Sequence, residues 1–211
     1  MARKTEMIPD TDEICRCMWC RDGGIMQEYH DREWGIPLHD DRKQFEFLMM
    51  EVMQCGLNWN MMLKKRDTFR ACFDNFDYDV IAGYDEAKIL QILETPNMIR
   101  SRRKIEAVIN NAGQFRKIRE EFGTFDAYLW RFTDNKTIRY RSRDKGCPAA
   151  QNKLSDQISG DLKKRGFKYL GSITLYSHLQ ACGIINDHER GCFLYKKIMD
   201  THPHAYKLTD G

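Results

Sequence analysis

The sequence contains no run of about 18 apolar residues, so a membrane-spanning helix is excluded. Its first thirteen residues, Met1 to Glu13, are polar and mixed in charge and lack an apolar stretch, so no secretory signal is expected. Period-two alternation is almost absent, and there is neither an internal repeat nor a low-complexity tract, which argues against a sheet-based fold. Net charge is only +3, so bulk electrostatics alone point to no partner. Cysteine, by contrast, is plentiful. Eight cysteines without a secretory signal indicate a reducing compartment and thiols or metal ligands, not a disulfide framework. Cys55, Cys72 and Cys182 read as small buried hydrophobes.

At 211 residues, 42% hydrophobic and 31% charged, the chain can bury one substantial core or two lobes sharing one. Residues 1–14 read as a disordered leader, 15–198 as a single all-α domain of two helical lobes, and 199–211 as a flexible tail. Apolar residues recur at helical spacing from Asp41 to Cys55, and most clearly at Ile105, Val108, Ile109, Ala112, Phe115 and Ile118. Helices are also predicted at about 61–73, 78–82, 85–93, 125–132, 155–165 and 172–182, the last two stopped by Gly166 and Gly183. The stretch 133–150 reads as a polar loop. Basic residues cluster at Lys64-Lys65-Arg66, Arg100 to Lys104, Arg139 to Lys145 and Lys163-Lys164-Arg165; gathered on one face, they would suit a phosphate backbone.

Three constellations carry chemistry. Glu51 lies inside an apolar helical run, where a carboxylate is costly unless something hydrogen-bonds to it. Gly56 then allows a sharp exit, and Trp59 follows within a turn. A carboxylate, a corner and an indole together suit a flat, partly cationic ring. Second, His188 and Cys192 are four residues apart. Two further ligands could come from Cys17 and His30, or from the pair Cys17 and Cys20, to close a tetrahedral metal site. Third, the turn from Thr95 to Ile105 presents a helix N-terminus flanked by Arg100, Arg102, Arg103 and Lys104, an arrangement able to grip a phosphate without reading bases.

Several stretches together resemble the bacterial 3-methyladenine DNA glycosylase I family. They are Tyr29-His30-Asp31-Arg32-Glu33-Trp34-Gly35, the corner Gly56-Leu57-Asn58-Trp59 with Leu63-Lys64-Lys65-Arg66, the run Leu162 to Gly171, and Gln180 to His188. The resemblance spans about Cys17 to Cys192. It implies a helix-hairpin-helix glycosylase fold and excision of N3-methyladenine from alkylated double-stranded DNA by a monomeric, monofunctional enzyme of the bacterial cytoplasm. It also implies one structural zinc ion held by Cys17, His30, His188 and Cys192, which selects His30 over Cys20. Glu51, the catalytic residue, and Tyr29 would hydrogen-bond the base, Trp59 would stack on it, and Trp19 and Trp34 would line its cavity. Gly56 and Leu57 would enter the duplex where the base has left, and Arg100, Arg102 and Lys104 would meet phosphates.

Three departures from the family pattern stand out. Asn58 replaces a serine and Asn60 an apolar residue, both beside Trp59, which extends the expected substrates to N3-methylguanine. Asn97 replaces a glycine, and asparagine tolerates the left-handed backbone such a turn needs. The competing reading is a zinc-stapled DNA-binding module without catalysis, which would require no intact pocket.

Overall fold

The structure, a computed structural model, describes residues 14–54, 56–140 and 150–201, and the backbone of 206–209. Nearly all of the predicted leader, together with Cys55 and half of the polar loop 133–150, lies outside the described residues. Helix α2 (Asp41–Gln54) is the centre of the molecule. Phe45, Phe47, Leu48, Met49, Met50, Val52 and Met53 are all buried, as are Gln44 and Glu46. A helix covered on nearly every face must be surrounded by others. The second long element is α7 (Arg102–Phe122), whose stripe Ile105, Val108, Ala112, Phe115 and Ile118 packs against it.

Around these two pack α3 (Trp59–Lys64), α4 (Arg66–Cys72), α5 (Tyr78–Ile81), α6 (Glu86–Glu94) and α8 (Phe125–Trp130). Asp41 at the start of α2 accepts hydrogen bonds from the backbone N–H groups of Phe125 and Asp126, joining two helix N-termini. The polar residues buried on α2 are matched in the same way. Glu46 accepts from Arg66 Nε at 2.6 Å, and the Arg66 guanidinium also forks onto both oxygens of Glu33 at 2.7 and 2.8 Å. One arginine therefore ties α4 to α2 and to the loop carrying Trp34.

The sequence reading missed α1 (Gly24–Arg32), which is short, amphipathic only weakly, and preceded by two glycines. It also missed β1 (Thr137–Tyr140) and β2 (Tyr206–Thr209), which pair in parallel, with Ile138 bridging to Ile185 on the other side of β1. β1 shows no alternation because three of its four residues are buried. The molecule is thus mostly helical with one small ladder. α11 (Phe193–Thr201) runs past the expected domain end at residue 198, and β2 falls inside the expected tail.

Two hairpin connections differ in how they are held. In 95–101, between α6 and α7, Asn97 adopts the left-handed conformation (φ 65°), and Lys65 Nζ donates to its carbonyl at 2.7 Å. The turn therefore survives the replacement of glycine. The second, 165–171, joins α9 (Lys153–Lys164) to α10 (Ser172–Ala181), and it is clamped by α7. Buried Asn111 accepts from the Lys168 N–H and donates to the Lys168 carbonyl, while Asn110 donates to the carbonyl of Gly166. Among the described residues no helix is long and apolar enough to cross a membrane.

Candidate active site

Five residues named from the sequence, Trp19, Tyr29, Trp34, Glu51 and Trp59, line one cavity of about 280 Å³. They arrive from separate elements: a 3-10 turn (Met18–Cys20), α1, the loop after it, α2 and α3. Their rings form a continuous aromatic wall. Trp19 meets Trp34 edge-on at 5.1 Å between centroids, and Tyr29 meets Trp59 at 5.8 Å. Trp59 Nε1 is buried with no acceptor among the described residues.

Glu51 sits on the last turn but one of α2, on the only face of that helix that meets the cavity. Desolvation raises its carboxyl to about 8, so in the ligand-free protein it is mostly neutral at pH 7. A neutral carboxyl offers one donor and one acceptor side by side. Tyr29 is held well above the usual phenol range, chiefly by burial and then by Glu51, and stays a hydroxyl donor.

Further lining residues escaped the sequence reading: Met26, Gln54, Ser177, Gln180, Ala181 and Asp187. Ser177, Gln180 and Ala181 stand three and four residues apart on α10 and so share one face, the signal that could have found them. Asp187 was visible only as the neighbour of His188.

A second cavity of about 560 Å³ shares Glu51 and Gln54 with the first and is otherwise bounded by Val52, Gly56, Leu57, Asn58, Tyr169 and Thr174. It forms the mouth, between the corner after α2 and the hairpin 165–171. Gly56 has φ of 83°, in the region that glycine alone occupies freely, which lets the chain turn there. Asn58 is the N-cap of α3, with Oδ1 accepting from the Met61 N–H at 2.9 Å. Its amide oxygen is occupied by helix capping, and the residue borders the mouth, not the inner cavity, so its position lends no support to broadened base recognition. Asn60 borders neither cavity.

In the hairpin expected to grip phosphate, the three named cations have different surroundings. Lys104 is buried and donates to the carbonyl of Met53 at 2.8 Å, capping the end of α2. Arg102 forks onto Glu86 at 2.6 and 2.9 Å. Arg100 is exposed, but none of the three borders either cavity. The hairpin beside the mouth is 165–171, with Lys163, Lys164, Lys168, Tyr169 and Ile173 exposed and the N-terminus of α10 uncapped by any side chain.

Behind the aromatic wall, the ligand atoms of Cys17, His30, His188 and Cys192 lie within 4.8 Å of one another, all buried. Cys17 Sγ is 3.5 Å from His188 Nδ1, and Cys192 Sγ is 3.4 Å from His30 Nε2 and 3.6 Å from His188 Nδ1. A tetrahedral ion with metal–sulfur and metal–nitrogen bonds near 2.3 and 2.0 Å requires edges of about 3.3–3.8 Å, so the group fits. His30 Nδ1 is paired to Asp31 Oδ1 at 2.8 Å, and Asp31 is held by Arg16, the support a ligating imidazole needs. Cys20 Sγ instead donates to the Cys17 carbonyl and stays outside the group. The backbone at Gly35 approaches so closely that a Cβ there would lie 2.5 Å from His188 Nε2.

The family model for methyladenine glycosylase matches residues 19–195. DNA-3-methyladenine glycosylase 1 of Escherichia coli (strain K12) is 37% identical over 180 residues, covering 85% of this chain and 96% of the relative. Among solved structures, a crystal structure of 3-methyladenine DNA glycosylase I is 40% identical with a TM-score of 0.78, covering 85% of this chain and 98% of that one. A structure of the Staphylococcus aureus enzyme, concerned with 3-methyladenine recognition, is 30% identical with a TM-score of 0.79, covering 85% of this chain and 96% of that one.

Stability should report the desolvated carboxyl. Because the folded protein keeps a proton on Glu51 that the unfolded chain releases above pH 4.5, stability falls as pH rises from about 4.5 to 8. Glu51→Gln removes that slope and should stabilise the protein by ~1–3 kcal/mol at pH 7, with no gain at pH 4. Urea denaturation at the two pH values measures this; equal effects at both would contradict the assignment.

Proposed function

Since the chain belongs to the methyladenine glycosylase family, we propose that it excises N3-methyladenine from alkylated double-stranded DNA by hydrolysing the N-glycosidic bond and leaving an abasic site. The observation that carries this reading is the inner cavity, where two carboxyls, one phenol and three indoles converge behind a mouth flanked by a glycine corner and a basic hairpin.

A base methylated at N3 is cationic, so its glycosidic bond is already weak and no strong acid is needed to expel it. The protein's work is extrusion and capture. Extruding a nucleotide costs a few kcal/mol, least where pairing is already damaged. Leu57, next to Gly56 at the mouth, is positioned to fill the vacated space. Trp59 and Tyr29 offer π faces to the cation. Glu51 at the junction of the two cavities can donate to a ring nitrogen and accept from an amine, the complement of adenine's N7 and N6 edge. A cation beside it favours the carboxylate, which only accepts, so on capture of the charged base Glu51 keeps the hydrogen bond from the amine and meets the ring by charge attraction. Among the described residues no lysine borders either cavity, which supports a monofunctional enzyme over a Schiff-base lyase.

DNA binding is assigned to the hairpin 165–171, where Lys163, Lys164 and Lys168 surround an open helix N-terminus beside the mouth. The Cys17, His30, His188 and Cys192 group would hold one zinc ion. With four protein ligands it leaves no open position, so the ion serves structure and not chemistry.

The function is tested by chromatography of bases released from methylated duplex DNA. Wild type should release 3-methyladenine, and Glu51→Ala and Trp59→Ala should each slow release at least a hundredfold. A folded wild type that binds DNA and releases nothing would instead favour the non-catalytic module. For the DNA face, Lys168→Ala should weaken duplex binding and flatten its salt dependence, whereas Arg102→Ala should leave both near wild type; the reverse pattern would restore the hairpin at 95–101. Elemental analysis should find one zinc per chain, lost in Cys192→Ala together with a lowered Tm.

A further inference from the structure

The inner wall of the cavity holds a polar relay that neither the aromatic contacts nor Glu51 uses. On α10, Gln180 Nε2 donates to Asp187 Oδ2 at 2.8 Å, and the same oxygen accepts from the Tyr176 hydroxyl at 2.6 Å. Asp187 and Tyr176 are both buried, and Asp187 borders the cavity alongside Gln180. With two donors converging on one carboxylate oxygen, the amide of Gln180 has a single favourable orientation, nitrogen toward Asp187 and Oε1 away from it. Oε1 takes no hydrogen bond among the described residues. The cavity wall therefore presents an acceptor that cannot become a donor, unlike the carboxyl of Glu51, which can present either.

The order of residues along the cavity says which part of a base meets that acceptor. Glu51 and Gln54 border both cavities and mark the junction, whereas Gln180 and Asp187 border only the inner one. An extruded nucleotide stays tethered to its backbone, so the purine enters with N9 toward the mouth. The substituent at C6 lies at the end of the purine away from N9 and reaches the inner wall first.

We propose that Gln180, oriented by Asp187 and Tyr176, is the residue that selects purines bearing an amino group at C6 over those bearing an oxygen. The inference rests on the glycosylase reading. An amino group donates to Oε1. An oxygen at the same position sets two acceptors against each other, and each loses the hydrogen bond that water supplied, which is where polar sites discriminate most strongly. N3-methylguanine, with oxygen at C6, falls on the rejected side. Tyr176 and Asp187 are positioning residues that act through the amide.

The test is binding of the free bases 3-methyladenine and 3-methylhypoxanthine to the metal-replete full chain by calorimetry, with base release from methylated duplex DNA run on the same preparations. Wild type should prefer the 6-amino base by about ten- to a hundredfold. Gln180→Leu should reduce that preference to within about threefold. Tyr176 lies off the cavity wall, and Tyr176→Phe removes one of the two donors that hold Asp187 Oδ2, so the amide is less firmly oriented. This variant should narrow the preference by raising affinity for the 6-oxo base, a gain that mere loss of packing does not produce. If either variant loses affinity for both bases in parallel, or keeps the wild-type ratio while wild type releases 3-methyladenine, the assignment of Gln180 is wrong and the glycosylase reading stands. If wild type neither releases 3-methyladenine nor binds either base, both fall together. Tyr176→Phe carries the test should Gln180→Leu not fold.

Discussion

Almost everything at the site depends on the burial of α2. Its apolar side chains take up nearly the whole circumference, so Glu51 meets the one face left open, and the surrounding burial disfavours its charged form. The helix is fixed at both ends by groups from far along the chain: Asp41 caps α8, and Lys104 caps the carbonyl of Met53. Between them, Glu46 receives Arg66, which also clamps Glu33. A buried ion pair of this kind is weak evidence of net stability. Its effect here is geometric, because it sets the segment carrying Tyr29 and Trp34 against the helices carrying Glu51 and Trp59.

The four-ligand group is woven into the same wall. Trp19 is two residues after Cys17, Tyr29 immediately precedes His30, and Asp187 immediately precedes His188. Trp34 meets His188 edge-on at 4.7 Å and lies near-parallel to His30 at 6.2 Å. Drawing the four ligands together therefore draws together four cavity-lining residues whose own segments are short and carry little core. The close approach of Gly35 to His188 belongs to this arrangement, since any side chain there would push the imidazole away. Short segments bury little apolar area of their own, and a metal held by the four residues would supply what that small area lacks.

The two sides of the mouth are held differently. The corner turns at Gly56 in the left-handed region, with the Leu57 N–H donating to the Gln54 carbonyl at 3.0 Å, while the hairpin 165–171 is held by paired hydrogen bonds from Asn110 and Asn111 on α7. A clamped hairpin can present backbone N–H groups to a phosphate at a fixed distance from the cavity. The other hairpin, 95–101, is held by Lys65, which donates to the carbonyl of Asn97, while Lys104 on α7 donates to the carbonyl of Met53 and holds the end of α2.

Four residues of the cavity were legible in the sequence because each sits in a local pattern that packing does not require: Glu51 inside an apolar run, Tyr29 and Trp34 flanking His30 and Glu33, Trp59 just past a glycine. The helical character of 41–54 and 102–122 was legible for the same reason, a strong 3.6-residue period. What local pattern could not decide was the destination of a charge. Lys104 and Arg102 read alike as phosphate ligands in one dimension, and only the fold brings the Met53 carbonyl to the one and Glu86 to the other. Likewise Asn58 reads as an added amide beside the pocket until the start of α3 claims it as a cap. Gln180 and Asp187 lay within a recognised stretch, yet their hydrogen bond depends on the turn between α10 and His188 that folds one onto the other. Sequence by itself determined which chemistries the chain can carry, since side-chain type and spacing are local. Tertiary structure alone decided which of them face the cavity, because that depends on partners distant in the chain.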